Sequence, residues 1–133
     1  MDFKILLVVE DLGIAHYLES VMRQFGHVEI YTDSPDALEA FEQALADAEP
    51  YDLVAVDLFM PKLDGAACVQ KMRKIEHRRK VPEIYAARIL MISIVHDGLD
   101  GLEAEVDGCN GYLFRPFAPA DLVSQIRNVV VLD

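Results

Sequence analysis

Apolar residues recur along this chain in two alternating rhythms. Continuous runs occur at Lys4–Val9 (KILLVV), Leu53–Val56 (LVAV) and Arg88–Ile94 (RILMISI), with shorter ones at Val28–Tyr31 (VEIY) and Gly111–Phe114 (GYLF). Runs of this length, rich in branched residues, suit strands buried on both faces. Between them, apolar residues return every three or four positions, the spacing of one helix face. Ile14, Tyr17, Leu18, Val21, Met22 and Phe25 form the first such face, and Gly26 is placed to end that helix. Leu38, Phe41 and Leu45 form the second, opened by Ser34 as N-cap and Pro35 in the first turn. Val69, Met72 and Ile75 form the third. The last starts at Pro119 and carries Leu122, Val123, Ile126, Val129 and Val130. His96–Val106 can be helical, but Gly98 and Gly101 weaken it.

Strands alternate with helices from end to end. That order predicts an α/β fold, a doubly wound five-stranded parallel sheet with helices on both faces. The 133 residues fit a single domain spanning 1–133. No repeat or low-complexity segment interrupts it, although the connections around Ala46–Pro50 and Glu76–Ala87 are long.

Composition narrows the class. Residues of apolar type make up 53% of the chain, enough for a sizeable core. The net charge of -11 repels phosphate backbones, so direct nucleic-acid binding is not expected. The start of the chain lacks a basic segment followed by a long apolar one, and no apolar run could span a bilayer. The expectation is a soluble cytoplasmic protein with no membrane partner. Cys68 and Cys109 share no metal or redox spacing and read as reduced thiols. Arg73-Lys74 and Arg78-Arg79-Lys80 form one basic run. It reads first as a solvated helix end that complements the helix dipole, and second as a docking patch.

In a parallel sheet the strand carboxyl ends share one edge, where ligands bind. The first strand ends on Glu10-Asp11, the third on Asp57, the fourth near Ser93 and the fifth on Arg115. Neighbouring carboxylates repel and call for a cation. An all-oxygen set with open positions suits Mg²⁺. A carboxylate can also be a nucleophile that forms an aspartyl phosphate, with a hydroxyl and a guanidinium holding the phosphoryl oxygens. Asp57 is the candidate nucleophile. Each acid alone reads as a cap or turn residue, and Asp64 reads so before Gly65. Their joint occurrence at four strand ends supports a shared site.

With these motifs in place, the chain resembles the receiver domains of two-component response regulators, from Lys4 to about Val131. The resemblance rests on Val9-Glu10-Asp11, Asp57 with Met60-Pro61 and Asp64-Gly65, Ser93, and Tyr112 before Arg115-Pro116-Phe117. It implies strand order 2-1-3-4-5, the flavodoxin-like arrangement. It implies that Asp57 accepts a phosphoryl group from a sensor histidine kinase or phosphotransfer protein. Glu10, Asp11, Asp57 and the backbone carbonyl of Phe59 would hold Mg²⁺. Ser93 would bind a phosphoryl oxygen, Arg115 would pair with it, and Ser93 with Tyr112 would form the switch. The peptide bond before Pro116 would be cis. A downstream effector protein or domain would read the segment 96–106, the fifth strand and the last helix, a face that also suits a homodimer.

The chain departs from the family pattern in places. Arg115 stands where the family has Lys, and the planar guanidinium is not equivalent to an ammonium. Ile94 stands where a small residue is usual, and Phe59 is bulky. Both are expected to screen the phosphoryl group from water. The alternative function is a degenerate receiver that acts by protein binding alone. A turnover enzyme is not expected. The run Glu10-Asp11-Leu12-Gly13 lacks the Asp-x-Asp of a dehalogenase-type phosphatase, and Gly98-Leu99-Asp100-Gly101 is no phosphate loop.

Overall fold

Five strands pair in parallel in the order β2-β1-β3-β4-β5, as expected. The computed structural model of the chain describes residues 2–93, 108–114 and 116–130. The strands are β1 (Phe3–Val8), β2 (Gly26–Tyr31), β3 (Leu53–Asp57), β4 (Arg88–Ser93) and β5 (Gly111–Phe114). The helices are α1 (Leu12–Met22), α2 (Ser34–Ala46), α3 (Gly65–Arg78) and α4 (Pro119–Val130). The expected helix over His96–Val106 lies outside the described residues, as do Ile94 and Arg115 with its bond to Pro116.

The continuous apolar runs form the inner strands because both faces of the sheet are covered. Alternate residues of β3 point to opposite sides. Leu53 and Ala55 join Leu90 and Ile92 in a core with α1 and α4, built on Leu18, Met22, Leu122 and Ile126. Val54 and Val56 join Ile89 and Met91 in a second core with α2 and α3, built on Phe41, Val69 and Met72. Among the described residues, no helix is long and apolar enough to cross a membrane.

Several local expectations are corrected. Asp33, not Ser34, caps α2, with its Oδ1 accepting from the Asp36 N–H at 2.8 Å. Ser34 is the first helical residue and is buried. Gly26 does end the first helical stretch, but as the cap of a 3-10 turn. Helix α1 itself ends at Met22 and continues as a 3-10 turn, Arg23–Phe25, and Gly26 opens β2. A Cβ at Gly26 would stand 2.0 Å from the Phe3 carbonyl oxygen, so strand pairing itself demands glycine there. Tyr17 has helical spacing but its side chain is exposed, while Ala15 takes a buried place on the inner face.

Candidate functional site

The two central strands carry the acids to one edge. β1 and β3 are neighbours, with Val8 opposite Val56. Asp57 is therefore the next residue beyond a fully buried pair, and it remains 2% exposed. Glu10 and Asp11 follow β1 at the same edge and are exposed. On the other side Asp57 lies opposite Ile92, and the Leu58 N–H donates to the Ile92 carbonyl at 2.7 Å. Ser93 comes next along β4 and is fully buried.

The segment after Asp57 is tied down by short-range chemistry. Asp57 Oδ1 accepts from the Phe59 N–H at 3.2 Å, and the Gly65 N–H donates to the Leu58 carbonyl at 2.9 Å. A Cβ at Gly65 would lie 2.3 Å from the Asp57 carbonyl oxygen and 2.8 Å from Leu58 Cα. Helix α3 thus starts directly against the backbone that carries Asp57, and only glycine permits that approach. Asp64 caps the helix through the Ala67 N–H at 2.8 Å, as its sequence position suggested. Lys62 adopts a left-handed conformation at φ 65, and its Nζ reaches Asp33 Oδ2 at 3.2 Å. The Asp33 carboxyl is held below the usual carboxylate range, first by the Asp36 N–H and then by Lys62. This tether from the Asp57 loop to the start of α2 was not anticipated. An Asp beside the helix start and a Lys after Pro61 were its only sequence signals.

The acids are not a preassembled cage. Asp11 Oδ1 accepts from the Ile14 N–H at 2.9 Å and caps α1. Among the described residues, no three His, Cys, Asp or Glu side chains stand close enough to hold a metal ion by themselves. The backbone brings Glu10, Asp11 and Asp57 to neighbouring strand ends. The expected ligands, the Glu10, Asp11 and Asp57 carboxylates and the Phe59 carbonyl, are all hard oxygens. That set fits Mg²⁺, which needs few protein ligands and keeps several waters. Phe59 itself is 45% exposed beside buried Asp57.

Strand register also relates the two expected switch residues. Met91 lies opposite Tyr112, and Ser93 opposite Phe114. Period-two alternation sends Ser93 and Tyr112 to the same face of the sheet. Tyr112 is half-buried against the α2/α3 core and stacks on Phe114, with ring centroids 6.4 Å apart.

A second polar cluster, unforeseen from sequence, occupies the opposite edge. Glu76 is 5% exposed. Its carboxylate accepts from Arg73 Nη1 at 2.7 Å and from the Ala87 N–H at 2.8 Å. Arg73 also donates to the Gly108 carbonyl at 2.9 Å and to Asn110 Oδ1 at 3.0 Å. Asn110 Oδ1 in turn accepts from the Ile89 N–H at 2.8 Å. These groups line a cavity of about 380 Å³ at the amino ends of β4 and β5. The cysteines remain free, and burial pushes both thiols up to about 11.

Comparison with known proteins agrees with this architecture. The family pattern of the response regulator receiver domain matches residues 5–127. The chain is 32% identical over 134 residues to the probable transcriptional regulator ycf29 of Porphyra purpurea, covering 100% of this chain and 59% of that protein. It is 34% identical over 128 residues to the probable transcriptional regulator ycf27 of Porphyridium aerugineum, covering 96% and 48%. The chain therefore spans about half the length of these relatives. Among solved structures, it resembles the receiver domain of sensor histidine kinase PA1611 from Pseudomonas aeruginosa PAO1. There the TM-score is 0.76 at 25% identity, with 98% of each chain covered, and that crystal structure has a magnesium ion coordinated in its active site cleft. A CheY-like receiver domain protein from Methanospirillum hungatei JF-1 shares the fold at TM-score 0.77 and 19% identity, over 98% of this chain and 94% of that one. On its sequence pattern, its strand order and these similarities, the chain belongs to the response regulator receiver domain family.

Proposed function

We propose that the chain is a phosphorylation-dependent switch in a two-component phosphorelay, with Asp57 as its phosphoacceptor. The observation that carries this reading is the burial of Asp57 at the carboxyl end of a central strand, next to buried Ser93 and followed by a capped, tethered turn. The donor is a phosphohistidine on a sensor histidine kinase or phosphotransfer protein. An Asp57 carboxylate oxygen attacks phosphorus, the phosphorus–nitrogen bond breaks, and the imidazole leaves with its electron pair and takes a proton. The product is an acyl phosphate on Asp57.

The other residues assist without turnover chemistry. Glu10, Asp11, Asp57 and the Phe59 carbonyl would hold Mg²⁺, which would offset the charge gathering on the phosphoryl oxygens. The Ser93 hydroxyl donates to one of those oxygens, and Arg115 supplies a cation. Tyr112, on the same face as Ser93, changes its packing when Ser93 is drawn toward the phosphoryl group. Phe59 and Ile94 screen the acyl phosphate from water. An effector protein or domain reads the altered surface, so phosphorylation biases a two-state element. Acetyl phosphate with Mg²⁺ is expected to label the native chain once and to leave Asp57→Ala unlabelled. Equal labelling of that variant would refute the assignment.

A further inference from the structure

Among the described residues, three that are not glycine adopt a left-handed backbone: Ala48, Lys62 and Lys80, at φ 59, 65 and 58. Ala48 and Lys80 have an ordinary reason. Each is the first residue after a helix cap, Asp47 for α2 and Arg79 for α3. A left-handed residue there lets the next N–H close the helix end. Glu49 donates to the Ala44 carbonyl and Val81 to the Glu76 carbonyl, both at 2.9 Å. Lys62 ends no helix. It is the middle residue of a three-residue turn, in which the Leu63 N–H donates to the Pro61 carbonyl at 2.6 Å. With a positive φ at its centre, such a turn is the rare and strained kind. A residue with a Cβ is disfavoured there and persists only where its surroundings hold it.

The hold comes from outside the turn. Met60 and Leu63 pack against the α2/α3 core. Lys62 adds the polar tie, with its Nζ 3.2 Å from Asp33 Oδ2, 29 positions away in sequence. Asp33 is a fixed anchor. Its Oδ1 caps α2 through the Asp36 N–H at 2.8 Å, and its side chain is only 15% exposed. Asp33 follows β2, Lys62 follows β3, and β1 runs between those strands. The ion pair therefore joins the two connections that flank the carboxyl end of β1, where Glu10 and Asp11 follow. Phe59 precedes Lys62 on the same loop, and its N–H donates to Asp57 Oδ1 at 3.2 Å. The far end of the loop is fastened separately, by the Asp64 cap and by the Gly65 N–H on the Leu58 carbonyl.

We propose that Lys62 is a positioning residue of the phosphoacceptor site. Its ion pair with Asp33 holds the Pro61–Leu63 turn, and the turn sets the Phe59 N–H and carbonyl beside Asp57. This role rests on the reading of Asp57 as a phosphoacceptor that works with Mg²⁺. Lys62 acts through the backbone of its own loop. An exposed ion pair adds little to global stability, and the Lys62 side chain is 66% exposed. Its effect is on the conformation of one turn, not on unfolding.

The test applies two readouts to the isotope-labelled chain and its variants. Amide hydrogen exchange at Phe59 and Leu63, without Mg²⁺, reports the turn. Titration of the same amides with Mg²⁺ alone reports the site. Lys62→Met keeps the length and loses the charge. It should speed exchange at both amides and weaken Mg²⁺ binding about tenfold, as loss of a supporting group does at a metal site. Asp33→Ser retains a capping oxygen and should do the same. The double variant should be no worse than either single one, because the two residues make one contact. Lys62→Arg should restore both readouts, and the unfolding midpoint should move little throughout. Native Mg²⁺ affinity in Lys62→Met, or losses that add in the double variant, would overturn the role. So would faster exchange with unchanged Mg²⁺ affinity. A native chain that binds no Mg²⁺ would instead overturn the underlying reading of Asp57, and this role with it.

Discussion

The two edges of this sheet each bury a carboxylate, and they use it in opposite ways. Glu76, at the amino edge, meets a guanidinium and a backbone N–H at close range, and Asn110 completes the network. The result is a clamp that ties α3 to the starts of β4 and β5. Asp57, at the carboxyl edge, is equally buried but stands where strand ends open into turns. There the Asp57 carboxylate accepts from the Phe59 N–H, and caps and tethers hold the surrounding backbone through Asp64, Gly65 and Lys62. Burial of an acid is therefore not itself a mark of function. What distinguishes the two is where they stand: Glu76 joins a helix to two strand starts, while Asp57 lies at the carboxyl edge beside Ser93 and the capped start of α3.

Substitutions at the two edges should separate these roles. The largest effect on stability is expected at the clamp. Glu76→Ala leaves the Arg73 guanidinium and the Ala87 N–H without their acceptor, and should cost about 3 kcal/mol in urea unfolding. Labelling of Asp57 should survive wherever this variant is folded. A loss under about 1 kcal/mol would mean that the network is incidental.

Gly65→Ala should affect both properties. Its Cβ would meet the Asp57 carbonyl oxygen at 2.3 Å, so either the start of α3 or the Asp57 backbone must move. A cost of about 2 kcal/mol is expected, together with slower labelling by acetyl phosphate. Unchanged labelling would show that the backbone at Asp57 tolerates the shift. A smaller effect is expected for Asp64→Ala, which removes one helix cap and should cost about 1 kcal/mol.

The smallest effect concerns the thiols, Cys109 on the wall of the amino-edge cavity and Cys68 in the α2/α3 core. Cys68 and Cys109 are pushed up from 9.0 to about 11 by burial. Unfolded thiols ionise first as pH rises, so the thiol contribution to stability is complete below pH 9 and declines through about pH 11. Alkylation of the folded chain at neutral pH should be slow, with half-buried Cys109 reacting before buried Cys68. Rapid modification of Cys68 at neutral pH, followed by mass spectrometry, would contradict that burial.

Much of the carboxyl edge was legible in the sequence because its signals are local. Branched runs mark the strands, and the first, third and fourth lead into Glu10-Asp11, Asp57 and Ser93 at the carboxyl edge. Asp64-Gly65 signals its own turn. The amino-edge clamp left no such trace, since Arg73 and Asn110 are 37 positions apart and meet only through tertiary packing. The cap of α2 was ambiguous because Asp33 and Ser34 are both good capping residues in adjacent positions, and only the backbone decides between them. Gly26 reads as a helix stop and does cap the 3-10 turn after α1. Its second reason, the closeness of the Phe3 backbone in the neighbouring strand, is tertiary and leaves no local signal. Strand order brings Glu10, Asp11 and Asp57 to one edge, but the Asp11 side chain caps its own helix.

The most direct test of the central claim is to map the phosphoryl group itself. The chain is incubated with acetyl phosphate and Mg²⁺, trapped by borohydride reduction, and sequenced by mass spectrometry. A single reduced site at Asp57, lost when Mg²⁺ is chelated, is the predicted result. Labelling at another carboxylate, or none on a folded chain with Mg²⁺ present, would contradict the account.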